Sequence, residues 1–166
     1  MPSTLGDQPD PHRDLLLERE VDVPPELVWA AWTTPDHLKR WFAPTPFTTV
    51  DCEVDLRPGG VFRTVMRSPE GEEHPSIACY LEVVAPRRLV WTTLLGPGFR
   101  PGDAPASTPT GPPPFTAVIS VEATDGGTRY TALVMHSDPD ACRRHAELGF
   151  HDGWATAFDQ LVALFR

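Results

Sequence analysis

Lysine and asparagine are almost missing from this chain: Lys39 stands alone, and there is no Asn at all. Positive charge is scarce too, with 14 Lys and Arg against 23 Asp and Glu, a formal net charge of -9. An acidic surface repels phosphate backbones and anionic headgroups, so nucleic acid is excluded as the expected partner and membrane surfaces are disfavoured. No apolar run reaches the roughly 18 residues of a membrane helix, so no membrane span is expected. Cysteine is limited to Cys52, Cys79 and Cys142, with no CxxC pair, and there is no N-glycosylation sequon. The stretch from Met1 to Asp14 has no apolar core and does not read as a signal peptide. Together these place the protein in the cytoplasm, with its thiols as isolated small side chains.

What is abundant is proline, 20 of 166 residues, and its placement divides the chain. Residues 1–13 read as a flexible N-terminal tail and 14–166 as a single domain, a normal size for one core. Leu17 to Val23 alternates apolar and charged residues with period two, the mark of a half-wet strand; Arg19 falls on its apolar side and would need a partner if buried. Pro25 and Pro35 suit the first turns of two short helices, over Glu26 to Trp32 and over Pro35 to Phe42, with Thr34 available as a cap. Thr48–Arg57, Val61–Arg67, Ile77–Val84 and Leu89–Leu95 read as strands, and Phe115–Ala123 with Thr128–His136 reads as a hairpin about Asp125-Gly126-Gly127. Residues 96–114 hold seven prolines, a density no ladder strand tolerates, and read as a long, mobile or polyproline-like loop. From Pro139 to Phe165 the pattern is helical, with Phe150, Trp154, Phe158 and Leu161 on one stripe. Gly149 and Gly153 inside it imply close packing or a bend.

A strand, two short helices, a run of strands joined by short turns and one long terminal helix make a two-layer α+β domain with an antiparallel sheet. A curved sheet around one helix leaves room for a partly apolar cavity.

Several segments resemble the SRPBCC (START-like, helix-grip) superfamily. They are Val28-Trp29-Ala30-Ala31-Trp32-Thr33, Pro35-Asp36-His37-Leu38, Trp41-Phe42-Ala43-Pro44, Asp55-Leu56-Arg57-Pro58-Gly59-Gly60, the run Tyr80 to Leu89, Gly127-Thr128-Arg129-Tyr130-Thr131 and Gly153-Trp154 before Asp159-Gln160-Leu161. Their order is similar to the branch named after the activator of the heat-shock-protein ATPase, over roughly residues 14–166. The resemblance implies a curved seven-stranded antiparallel sheet gripping the last helix, with a lipophilic cavity between. It also implies functions of several kinds, since free-standing bacterial members look like binding proteins while some superfamily relatives are cyclases or hydrolases. The 96–114 insertion is longer and richer in proline than the family pattern.

For chemistry, Cys142 and His145 at i, i+3, with His136 and His151 near in sequence, are the candidate metal ligands. Arg143 and Arg144 lie between the first two and no HExxH or CxxC supports a site, so no metal and no cofactor is expected. Ser120 and Ser137 lack a nucleophile elbow. His136, His151, Tyr80, Tyr130 and Glu82 could move a proton if buried in a cavity, but nothing in the sequence brings two of them together. Strand parity instead gathers a ligand-lining set: Phe62, Met66, Tyr80, Trp91, Tyr130 and His136 from the sheet, with His151, Trp154 and Phe158 from the helix. The expected function is binding of a hydrophobic or aromatic small molecule, with Tyr80, His136 and His151 orienting it. Two alternatives stand beside it: an enzyme acting on a polyketide-like or aromatic substrate with His136 or His151 as base, and a co-chaperone-like surface. A homodimer stays open.

Overall fold

The structure is a computed structural model, and it describes residues 8–102 and 111–166. Strand β1 (Asp14–Val21) is followed by helices α1 (Pro25–Thr33) and α2 (Pro35–Trp41). The strands β2 (Thr48–Val54), β3 (Val61–Arg67), β4 (Glu73–Val84) and β5 (Arg88–Thr92) come next, then a two-residue-per-arm hairpin, β6 (Leu95–Gly96) and β7 (Arg100–Pro101). Strands β8 (Thr116–Thr124) and β9 (Gly127–Met135) lead into α3 (Pro139–Glu147) and α4 (Phe150–Ala163). One seven-stranded sheet runs β1-β9-β8-β5-β4-β3-β2, with every neighbouring pair antiparallel. The α+β helix-grip class read from the sequence is therefore the class observed.

The differences have local reasons. Strand β4 starts at Glu73 rather than Ile77 and includes Pro75. Its first residues pair only with β3, because β5 pairs no further than Cys79, and a proline without its N–H is tolerated where a strand has one neighbour. Arg19 is exposed and donates to the Glu18 carbonyl at 2.9 Å, so it interrupts the apolar side that Leu17, Val21 and Val23 otherwise share, and no buried charge arises there. Thr34 holds the cap position of α2 in extended conformation, but its hydroxyl makes no capping bond.

The terminal helix is not continuous from Pro139. It breaks at Gly149, whose φ of 97° is left-handed and easy only for glycine. Asp138 caps α3 by accepting from the Ala141 N–H at 2.8 Å. Gly153 remains inside α4, where a Cβ would stand 3.9 Å from Pro44, so the loop after α2 lies close over that turn. The 96–114 segment begins with the β6–β7 hairpin, while residues 103–110 lie outside the described residues, as do residues 1–7 of the expected tail. Arg13, the last residue of that tail, is held: its carbonyl accepts from the His136 backbone N–H at 3.0 Å.

The core lies between the sheet and the helices. Leu17, Val28, Trp32, Leu38, Trp41, Phe62, Tyr80, Leu89, Trp91, Ile119, Tyr130, Phe150, Phe158 and Leu161 are all buried in it. Gln160 of α4 ties α2 to that core. Its amide donates to the carbonyls of Trp41 and Ala43 at 2.9 and 2.8 Å, and its oxygen accepts from the Thr45 N–H at 2.9 Å. These are groups at the C-terminal end of α2 that the helix itself leaves unbonded.

Candidate functional site

Rings fill the space between the middle of the sheet and α4. Tyr80 of β4 and Trp91 of β5 are directly opposed, and Phe62 of β3 lies beside both, with ring centroids 5.5 Å from Tyr80 and 5.1 Å from Trp91. Phe115, just before β8, meets Trp91 at 5.4 Å. From the helix, Trp154 stands almost parallel to Trp91, 10° apart in plane, with centroids 6.5 Å apart. That is the wide end of the range for aromatic pairs, about 4.5–7 Å. The pair Tyr130–Phe158, by contrast, stacks at 4.0 Å. Trp154 is half-buried, as is Phe42, which covers Phe62 from the end of α2.

Polar atoms in this wall divide sharply. The Trp32 indole donates to the Tyr130 hydroxyl at 3.2 Å, and the Trp41 indole donates to the Ala31 carbonyl at 2.9 Å. The Tyr80 hydroxyl and the Trp91 indole N–H are just as buried and have no hydrogen-bond partner among the described residues. Burial drives the Tyr80 phenol well above its ordinary range, so it is a neutral O–H donor at any working pH. Two orphaned donors thus sit on adjacent strands in one aromatic wall.

At the far side of Phe115 are two histidines. His136 Nδ1 lies 2.9 Å from the Arg13 carbonyl, and His136 Nε2 lies 2.9 Å from His145 Nδ1. A carbonyl only accepts, so His136 carries its proton on Nδ1; its Nε2 then accepts, and His145 donates from Nδ1. His145 packs its ring against Phe115 and Phe150 at 5.2 and 5.3 Å. Burial lowers the pKa of both imidazoles, and the neighbouring His136 adds to the effect on His145, which is pushed down to about 4.

Of the nine residues expected to line a cavity, the structure brings Phe62, Tyr80, Trp91 and Trp154 together around the orphaned donors. Tyr130 and Phe158 pack on each other further along the core, and His136 stands behind Phe115. His151 is exposed, touching only the edge of Phe150 among the rings, and Met66 is half-buried outside the core cluster, on β3 between Thr49 and His74. His145 and Phe115 were not in the set. The i, i+3 spacing of Cys142 and His145 does place both on the buried side of α3, yet among the described residues no three His, Cys, Asp or Glu side chains converge as metal ligands. Surface clefts of about 560 and 270 Å³ lie elsewhere, around Pro25, Arg87 and Glu122 and around Pro24 and Gly126.

Residues 22–166 match the family model described as Activator of Hsp90 ATPase homolog 1-like protein. The chain belongs to this family. A solved protein of Nitrosomonas europaea is 47% identical over 92% of this chain and 93% of that one, with a TM-score of 0.85. A Chromobacterium violaceum protein is 25% identical, over 92% and 96% of the two chains, with a TM-score of 0.70. The AHSA1-like protein of Aeromonas hydrophila, 20% identical over 91% and 93%, with a TM-score of 0.70, shares the fold. No curated protein matches the chain.

Proposed function

We propose that this AHSA1-like domain binds a flat hydrophobic or aromatic small molecule at the Tyr80–Trp91 wall. The observation that carries the reading is the pair of orphaned donors. Buried polar groups are almost always bonded, and an unmade bond costs about 1–3 kcal/mol. The same core bonds the indoles of Trp32 and Trp41, so the fold has the means to bond such groups and leaves these two open. A carbonyl or ether oxygen on a guest would accept from both. The guest slides against Trp91 as half-buried Trp154 swings outward, and its apolar area supplies affinity at about 25 cal/mol per Å².

Thermal melting with acetylnaphthalene, which joins a flat apolar body to one carbonyl acceptor, tests this. A ligand selective for the native state raises the melting temperature. The wild type gains stability, and Tyr80→Phe and Trp91→Phe gain less. No rise for acetylnaphthalene or for a panel of similar flat ketones would overturn the reading.

A second reading, an enzyme acting on such a molecule, draws on the direct contact between His136 and His145, two titratable groups one ring away from Trp91.

A further inference from the structure

Helix α3 is attached to the rest of the domain through few side chains. Of its nine residues only Cys142 and His145 are buried. The Asp138 cap bounds it on one side, and on the other Gly149, with its left-handed φ of 97°, separates it from α4. On its inner side His145 bonds His136, just past β9, at 2.9 Å and lays its ring against Phe115 and Phe150. Arg144 donates to the Gly111 carbonyl at 3.3 Å. Phe115 in turn meets Trp91 at 5.4 Å and Trp154 at 6.1 Å. Helix α3 therefore closes one end of the ring wall, with Phe115 standing between the histidine pair and Trp91.

The line between the two imidazoles holds one proton. The Arg13 carbonyl fixes the His136 proton on Nδ1, so Nε2 stays bare to accept from His145. A proton added to His136 would set two N–H groups against each other. One added to His145 would put a charge on a buried ring between two phenyl groups. In water either imidazole takes up a proton near pH 6.5, whereas burial holds both below that in the closed pair, with His145 pushed down to about 4. Near the pair, Asp14 and Asp138 favour the charged form of His136, Arg13 and Asp10 are engaged with each other, and His151 lies on the far edge of Phe150. Acid therefore favours a displaced α3 in which both histidines are wet.

We propose that α3 is an acid-released gate over the end of the ring wall: the His136–His145 bond latches it, and its release frees Phe115 to turn aside and admit the flat guest to Trp91. The admission of the guest rests on the binding reading above; the release of α3 does not.

Two buried thiols make the test. Cys142 lies on the inner side of α3 and reports its release, while Cys79 lies in β4 and reports opening of the sheet. Both are labelled with dithiodipyridine, located by peptide mass spectrometry, and their rates divided by that of free cysteine at the same pH. From about pH 7.5 to about pH 5 the Cys142 rate rises about thirtyfold, the ratio of charged to neutral forms of an ordinary imidazole at the lower pH, and Cys79 stays protected. His145→Phe flattens the rise. The association rate of acetylnaphthalene, followed by stopped flow, climbs in step with Cys142 labelling in the wild type. A Cys142 rate indifferent to pH, or one that rises only together with Cys79, overturns the inference, and so does an association rate that stays flat while Cys142 opens. If acetylnaphthalene does not bind at all, the binding reading and the admission step fall together, and the labelling alone decides the latch.

Discussion

Tyr80 and Tyr130 are the same residue in the same core with opposite roles. Tyr130 accepts from Trp32 and stacks on Phe158, so Tyr130→Phe removes a formed bond and strands the Trp32 N–H. The expected cost is about 1–3 kcal/mol in chemical denaturation. Tyr80→Phe removes a hydroxyl with no bonding partner among the described residues, and stability stays level or rises by about 1 kcal/mol, while acetylnaphthalene binding weakens. The pair of variants separates a structural tyrosine from one kept for another purpose. Gly60 is a third residue-scale case. A Cβ there would stand 1.9 Å from the Asp55 carbonyl oxygen, backbone that cannot yield, so Gly60→Ala destabilises by several-fold more than an ordinary surface substitution, on the order of 2–4 kcal/mol in the same measurement.

At the scale of elements, α3 and β9 are joined by His136 and His145. The folded state holds both imidazoles below the ordinary pKa of 6.5, with His145 at about 4, although Asp14 and Asp138 pull His136 the other way. The unfolded chain binds more protons across that interval, so the histidines' contribution to stability falls as pH drops from about 6.5 to about 4 and levels off below. One pKa unit is worth about 1.4 kcal/mol, which makes the loss from His145 on the order of 3 kcal/mol. Denaturation of wild type and His145→Phe at several pH values checks this: the wild type loses stability through that window, and the variant loses much less. Gln160 does similar work between α4 and α2. Gln160→Leu abolishes three bonds at the end of α2 and lowers the melting temperature by several degrees, about 1–2 kcal/mol.

For the molecule as a whole, period-two alternation and the proline breaks were enough to read the sheet, the two early helices and the terminal helix. Every one of the seven main strands falls where its pattern indicated, to within a few residues. The misplacements have physical causes. Strand β4 begins at Glu73, before the expected Ile77, because the one-neighbour setting that tolerates Pro75 is a tertiary fact. Gly149 signalled a bend or close packing, and a left-handed φ made it a break. The ring wall was partly legible, since parity set Phe62, Tyr80 and Trp91 on one face. Parity does not say which donors find partners, however, and that distinction defines the candidate site. The bond between His136 and His145 was illegible for the same reason: it depends on how α3 is set against the end of β9, which no spacing encodes.

The account turns on the claim that Trp91, unlike buried Trp32 and Trp41, keeps its indole N–H unbonded among the described residues, ready for a guest. The five indole N–H resonances of the chain, recorded without and with acetylnaphthalene, test it most directly. The prediction is that Trp91 moves downfield to the range of hydrogen-bonded indoles on loading, while Trp32 and Trp41, bonded already, stay in place. A Trp91 signal that shifts no more than those two would contradict it.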